Sequence, residues 1–176
     1  AGYAVHVFDA MPSLGRKFLL AGIGGLNITH SEDAQTFAQR YSAPTDWVQQ
    51  WLAQFAAQSV RDWVHSLGVD TFVGTSGRVF PKEMKAAPLL RAWLQRLRAM
   101  GVKIHTRSRW LGWDAQGALR IATPEGERAV SARALLLALG GGSWPRLGSD
   151  GAWVPVLQEQ GVAVAALEAS NCGFDV

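Results

Sequence analysis

Two stretches of this chain carry residues whose types and spacing could do chemistry. In the first, Asp9 closes the apolar run Ala4-Val5-His6-Val7-Phe8. It is followed by Gly15-Arg16-Lys17-Phe18-Leu19-Leu20-Ala21-Gly22-Ile23-Gly24-Gly25-Leu26-Asn27-Ile28-Thr29-His30. In a dinucleotide-binding unit an acid at the end of the second strand takes ribose hydroxyls. The adjacent cations Arg16 and Lys17 suit a pyrophosphate, and glycine backbone between positions 22 and 25 permits close approach to a flat ring. The second stretch runs from an apolar segment, residues 134–139, through Gly140-Gly141-Gly142-Ser143 to Gly148-Ser149-Asp150-Gly151. The apolar segment is long enough for a strand buried on both faces, and a helix is predicted over residues 152–160. Strand, glycine turn and helix start are how an α/β sheet builds a ligand crevice, with free N–H groups that attract oxygen-rich or anionic groups. Each stretch also has a plainer reading, as a strand-end acid, a basic surface loop with an apolar anchor, or glycine punctuation.

Groups that could move a proton are few. His30 is the nearest candidate, because histidine titrates near neutrality, although a loop histidine is more commonly structural. His6, His65 and His105 read as strand or helix residues with no partner pattern. Neither metal-ligand spacing nor a Gly-x-Ser-x-Gly nucleophile turn is present. Cys172 is the only cysteine, so an internal disulfide is excluded and a reducing compartment fits.

The elements that must position these residues are legible as patterns. With 176 residues, 48% of them hydrophobic and 18% charged, the chain supports one ordinary domain with a core. Residues 31–67 read as helical with a break at Pro44-Thr45 and Thr45 as a candidate N-cap. Ser59-Val60-Arg61-Asp62 resembles a capping box, which puts a second joint near Gln58. Trp47, Val48, Trp51, Leu52 and Phe55, continued by Val60, Trp63, Val64 and Leu67, recur at helical spacing and are expected in the core. Short strands are predicted over residues 71–74 and 78–80, and a helix from Pro88 to Gly101 with Leu89, Leu90, Trp93, Leu94 and Leu97 as its apolar stripe. A strand over residues 102–106 precedes a three-stranded antiparallel excursion: 109–114, 118–123 around Gln116-Gly117, and 128–131. Residues 4–9 read as a buried strand and residues 11–30 as a loop too glycine-rich for a regular helix. The basic residues between Lys82 and Arg109 read as a solvated face, and nucleic-acid binding is not expected from a formal charge of +3. No run reaches membrane-span length and no signal-peptide pattern is visible, so the expectation is a cytoplasmic protein without membrane contact.

In this order the residues resemble the aminoacetone oxidase-like or bile-acid-reductase-like FAD-binding flavoproteins, of the two-dinucleotide-binding-domain class. Four motifs carry the resemblance: Gly15-Arg-Lys-Phe-Leu with Gly22-x-Gly24 and Asn27-x-Thr29; Gly77-Arg78-Val79-Phe80-Pro81; Leu137-Ala-Leu-Gly140-Gly141-x-Ser143-x-Pro145; and Gly148-Ser149-x-Gly151. The tail 171–175 resembles one branch of that family. The resemblance implies that Asp9 binds the adenosine ribose of FAD. It implies that Arg16, Lys17, Gly22, Gly24, Asn27 and Thr29 line the flavin side. Gly140, Gly141, Ser143 and Gly151 then approach the pyrophosphate or ribityl chain, and backbone near Trp110 and Leu111 meets the adenine. Such flavoproteins often carry Gly-Arg-Cys-Asn where this chain has Gly25-Leu26-Asn27. Leu139 replaces the Thr of their Ala-Thr-Gly-Gly motif, and His30 stands where Asn is common. These departures bear on the reaction more than on the cofactor.

The resulting expectation is an α/β, Rossmann-like FAD/NAD(P)-binding domain over residues 1–165, with a helical insertion about 31–67 and a β-meander about 108–131. Residues 166–176 would begin a second, substrate-facing domain. The strand and G-x-G-x-x-G turn expected about 20–30 residues before Asp9 are not in the sequence. The chain is therefore expected to be a fragment incomplete at both ends, inactive alone and weak in retaining FAD, with an open sheet edge that favours a homodimer. The whole protein is expected to be an FAD-dependent oxidoreductase, passing hydride or electrons between a donor and a small organic substrate, with NADH, NADPH or oxygen as redox partner. The alternatives are a tRNA-modification-type flavoprotein with a basic RNA-binding face, and a cofactor-free interaction domain.

Overall fold

The computed structural model describes residues 2–21, 23–41 and 45–168. In chain order the elements are β1 (His6–Phe8), α1 (Arg16–Ala21), β2 (Thr29–His30), α2 (Ala34–Ala38), α3 (Thr45–Gln54) and α4 (Ala57–Ser66). Then follow β3 (Thr71–Val73), β4 (Arg78–Pro81), α5 (Ala86–Ala99), β5 (Lys103–His105), β6 (Arg109–Trp113), β7 (Leu119–Thr123) and β8 (Gly126–Val130). A 3-10 turn, Pro145–Leu147, precedes α6 (Trp153–Glu159). The chain divides into two compact units, Ala1–Lys17 with Val102–Val176, and Phe18–Gly101. Among the described residues no helix is long and apolar enough to cross a membrane.

In the first unit β1 and β5 pair in parallel, with His6 opposite Lys103 and Phe8 opposite His105. The pairing continues past the strand ends: the Asp9 N–H donates to the His105 carbonyl at 2.8 Å and the Ser108 N–H to the Asp9 carbonyl at 2.9 Å. The antiparallel meander runs β6-β7-β8. Its alternation is the ordinary period of two: Leu119 and Ile121 are buried, while Arg120 faces outward and pairs with Glu127. The β6–β7 turn is held by the Asp114 carboxylate, which accepts the N–H groups of Gln116 and Ala118 at 2.9 Å each. Gly117 supplies the left-handed backbone there (φ 82°). A parallel pair beside an antiparallel meander and short helices is the α/β, Rossmann-like class the sequence predicts.

In the second unit the sheet order is β2-β4-β3, all antiparallel. Its core gathers Leu26, Val64, Ala86 and Leu89, with Phe18, Ile28, Trp63, Leu67 and Val69 packed around it. Helix α2 starts at Asp33, two residues later than Ser31, because the Asp33 carboxylate accepts the N–H groups of Gln35 and Thr36. Helix α4 starts at Ala57. Ser59 accepts the Ala56 N–H at 3.2 Å, while Asp62 bonds to Gln58 instead of closing a box with Ser59.

Four expectations are corrected. Residues 134–139 form no strand, and Leu136 is 90% exposed. An apolar run becomes a doubly buried strand only when neighbours pair with it, and none of the described strands does so. For the same reason the first strand shrinks to His6–Phe8. It pairs on one side only, so Val5 and Val7 stay exposed. The loop read between positions 11 and 30 contains a six-residue helix, α1. Arg16 to Ala21 are all competent helix formers, and the glycines lie in the flanks. Finally, the stripe on α3 is helical but is not core. Trp47 and Trp51 are 65% and 64% exposed and touch each other at 6.3 Å between ring centroids. Periodicity makes an apolar face without supplying the element that covers it.

Candidate functional site

The residues that sequence reasoning assigned to one site fall in both units: Asp9, Arg16, Lys17, Trp110, Leu111, Gly140, Gly141, Ser143 and Gly151 in the first, Gly24, Asn27, Thr29 and His30 in the second. Gly22 lies outside the described residues, as do Cys172 and the tail 171–175.

The first unit builds a polar turn from the glycine-rich segment. Pro145 opens the 3-10 turn, and Gly148 ends it in the left-handed region (φ 89°). A Cβ at Gly148 would fall 2.8 Å from the Met11 Cγ. The turn reverses the chain: the Trp144 N–H donates to the Ser149 carbonyl at 3.0 Å and the Ser149 N–H returns to the Trp144 carbonyl at 3.1 Å. This brings residues 149–153 back onto the glycines. The Gly141 carbonyl accepts both the Gly151 N–H at 3.1 Å and the Ser149 hydroxyl at 3.0 Å. The Gly140 carbonyl accepts the indole N–H of Trp153, also at 3.0 Å. With those carbonyls bonded inward, the backbone N–H groups of Gly141, Gly142 and Ser143 donate to no acceptor among the described residues. A Cβ placed on Gly141 would meet nothing within 4 Å, so the turn is open on that side.

Lys17, on the first turn of α1, adds the cation. Its ammonium donates to the Ser143 hydroxyl at 2.7 Å and stands 3.5 Å from the Ser149 hydroxyl. Next to this group, Arg109 of β6 pairs with Asp150 at 3.0 Å. The Ala152 N–H, and then Arg109, hold the Asp150 carboxyl below the usual carboxylate range. The Arg109 charge is thus compensated within the protein, whereas Lys17 faces only hydroxyls in these contacts. A cation, two hydroxyls and N–H groups without an acceptor among the described residues, all at one glycine turn, suit an anion rich in oxygen, such as a phosphate.

The other predicted residues of this unit are placed as follows. One Asp9 carboxylate oxygen accepts the Met11 N–H at 2.8 Å. Arg16 is the first residue of α1, beside Lys17. Trp110 pairs with Ile121 in the meander and stacks edge-on against Trp113 at 4.9 Å. Its indole N–H is buried without a partner among the described residues. Leu111 sits in the irregularity between Trp110 and Trp113, next to Gly112 with φ 107°.

Of the two neighbouring glycines Gly24 and Gly25 in the second unit, Gly25 is the one with left-handed backbone (φ 108°), beside Met84, while Gly24 faces open space. Thr29 and His30 form β2 against β4. His30 does not present a free ring to a substrate: Nδ1 accepts the Glu32 N–H at 3.3 Å and Nε2 lies 3.0 Å from the Ser76 carbonyl. Nδ1 also stands 3.3 Å from the Glu32 carboxylate, so both nitrogens are engaged locally. Among the described residues no cluster of His, Cys, Asp or Glu could hold a metal ion.

Sequence reasoning missed Ser149, Asp150 and Trp153. The Gly148-Ser149-x-Gly151 motif marked the place, but only the 3-10 reversal shows that its side chains return to Gly140 and Gly141. Residues 1–173 match the family described as HI0933-like protein Rossmann domain. No curated protein matches the chain.

Proposed function

The chain belongs to the HI0933-like Rossmann-domain family, a family of FAD-binding flavoproteins, and from that premise we propose that it holds FAD as part of an oxidoreductase. The observation that carries the reading is the convergence of the Lys17 ammonium, the Ser143 and Ser149 hydroxyls and the glycine turn 140–142. In this reading Lys17, Ser143 and the N–H groups of Gly141 and Gly142 hold the pyrophosphate. The Asp9 carboxylate takes a ribose hydroxyl, as strand-end acids do in dinucleotide folds. Gly24, Asn27 and Thr29 belong to the flavin side.

The isoalloxazine, when bound, supplies hydride and electron transfer, and the protein supplies binding, orientation and electrostatics. Lys17 offsets phosphate charge while its own amine stays in place through Ser143. The two hydroxyls accept two of the three Lys17 N–H groups and so leave the third for a phosphate oxygen. His30 contacts its neighbours through both nitrogens, so its part is to pin β2 to the β3–β4 turn. The reducing partner is NADH, NADPH or a substrate of small organic class, with oxygen as the alternative acceptor.

The test is a titration of the whole protein with FAD, read by quenching of flavin fluorescence, with riboflavin as the phosphate-free control. FAD should bind, and Lys17→Met should weaken it by about tenfold, the usual loss for a charge-assisted contact. Riboflavin affinity should not respond to that change. A protein that takes up no FAD overturns the reading.

A further inference from the structure

We propose that Ser149 is a positioning residue of the anion site: its hydroxyl joins the Gly141 carbonyl to the Lys17 ammonium, and so sets where that cation and the glycine N–H groups meet one phosphate. The inference rests on the FAD reading for the identity of the ligand, but its geometry does not. Ser149 is only 5% exposed, one of two buried polar residues in the described chain. A buried hydroxyl must satisfy both its proton and its lone pairs. Here the proton goes to the Gly141 carbonyl at 3.0 Å and the oxygen faces the Lys17 ammonium at 3.5 Å. The same ammonium donates to Ser143 at 2.7 Å, so Lys17 is held between two hydroxyls that flank the glycine turn.

The placement of Ser149 is itself determined. Its N–H and carbonyl are both bonded to Trp144 across the 3-10 turn, which fixes the backbone on either side of the side chain. Gly140 approaches closely enough that a Cβ there would lie 3.4 Å from the Ser149 Oγ. The hydroxyl therefore sits between the turn backbone and the cation rather than beside solvent. In the trans peptide that carries the Gly141 carbonyl, the Gly142 N–H points the opposite way, away from the Ser149 hydroxyl and the Gly151 N–H that the carbonyl accepts. Removing the hydroxyl leaves the Gly141 carbonyl with one donor, the Gly151 N–H, and lets Lys17 swing on Ser143 alone. Ser149 touches no ligand in this account; it acts through Lys17 and Gly141.

The experiment measures binding of FAD, riboflavin and inorganic pyrophosphate to the wild type, Ser149→Ala, Ser149→Thr, Lys17→Met and the Lys17→Met/Ser149→Ala double variant. Circular dichroism melts accompany each protein, and Ser149→Cys serves in place of the alanine variant if that protein does not fold. The expected result is a loss of about three- to tenfold in FAD and pyrophosphate affinity for Ser149→Ala, with riboflavin unchanged and threonine restoring the wild-type value. The double variant should lose less than the two single losses combined, because the part of the hydroxyl's effect that runs through that amine is already gone, while the part that runs through the Gly141 carbonyl remains. Additive losses, or a Ser149→Ala protein equal to the wild type, overturn the inference. Pyrophosphate binding without FAD binding overturns the flavin reading alone, and the cycle on pyrophosphate still decides the role of Ser149. A wild type that binds neither overturns both.

Discussion

Trp153 donates its indole N–H to the Gly140 carbonyl at 3.0 Å, from thirteen positions further along the chain. The bond ties α6 to the glycine turn and makes the helix part of the site's frame. Trp153→Phe keeps an aromatic ring but removes the donor together with the pyrrole half of the indole. It should destabilise the unit by about 0.5–1.5 kcal/mol, the net worth of one ordinary hydrogen bond, read as a shift of the urea midpoint. The same variant should weaken FAD through the turn. A midpoint and an affinity both equal to wild type would show that the indole is a bystander.

His105 supplies a pH dependence. Its ring stacks on Phe8 at 4.6 Å and on His6 at 5.2 Å, and its Nε2 lies 3.0 Å from His6 Nδ1. Burial, then the neighbouring His6, Arg128 and Lys103, push its pKa below the ordinary 6.5. The unfolded chain therefore binds this proton more readily than the folded one. Stability from this group is complete above pH 6.5 and falls as acid is added from there down through the lowered folded value. The urea midpoint should drop between about pH 7.5 and pH 5.5, above the range of the carboxylates, and His105→Gln should flatten that segment of the profile. An unchanged slope in the glutamine variant would place the effect elsewhere.

What the sequence made legible was what depends on short-range physics. The hairpin at Gln116-Gly117, the meander, the α5 stripe and the glycine-cation motif all declare themselves through period, turn chemistry or adjacency. Lys17 and Ser143 were both named as ligand-facing, and they are 2.7 Å apart across a separation of 126 residues. What failed was whatever needed a neighbour: 134–139 without strand partners, and Trp47 and Trp51 without a covering element. What Ser149 and Trp153 do was not legible for a related reason. Their roles come from a 3-10 reversal that folds one stretch of chain onto another, and no local pattern reports the return.

The second unit's core turns on Val64, the one core residue with 0% exposure, packed with Leu26, Ala86 and Leu89. Val64→Ala removes two methyl groups from a site closed on all sides. The loss should be about 2 kcal/mol, from transfer and residual cavity together. Trp63, one position away on α4 and edge-on to Trp93 at 5.0 Å, should tolerate replacement by Phe better. Chemical unfolding of both variants, followed by Trp fluorescence for the first and by circular dichroism for the second, checks the order. A smaller loss for Val64→Ala would mean that the surrounding helices collapse into the space.

Gly77 and His30 give the sharpest test of the loop that pins β2. Gly77 has φ 77°, and a Cβ there would stand 2.6 Å from His30 Cε1 and 2.8 Å from Nε2. Two penalties are therefore superposed in Gly77→Ala. The left-handed backbone costs a non-glycine residue about 1 kcal/mol, and the steric overlap adds to it because the His30 ring is held by Ser76 and Glu32. The single variant should lose about 2–3 kcal/mol of stability. In a His30→Ala background the overlap disappears, so the same glycine change should cost only the backbone part, about 1 kcal/mol. The double-variant cycle, read by urea unfolding, thus separates conformational strain from contact. Equal costs in the two backgrounds would show that the ring moves aside freely and that His30 is not pinned, which would also reopen it as a proton-transfer group.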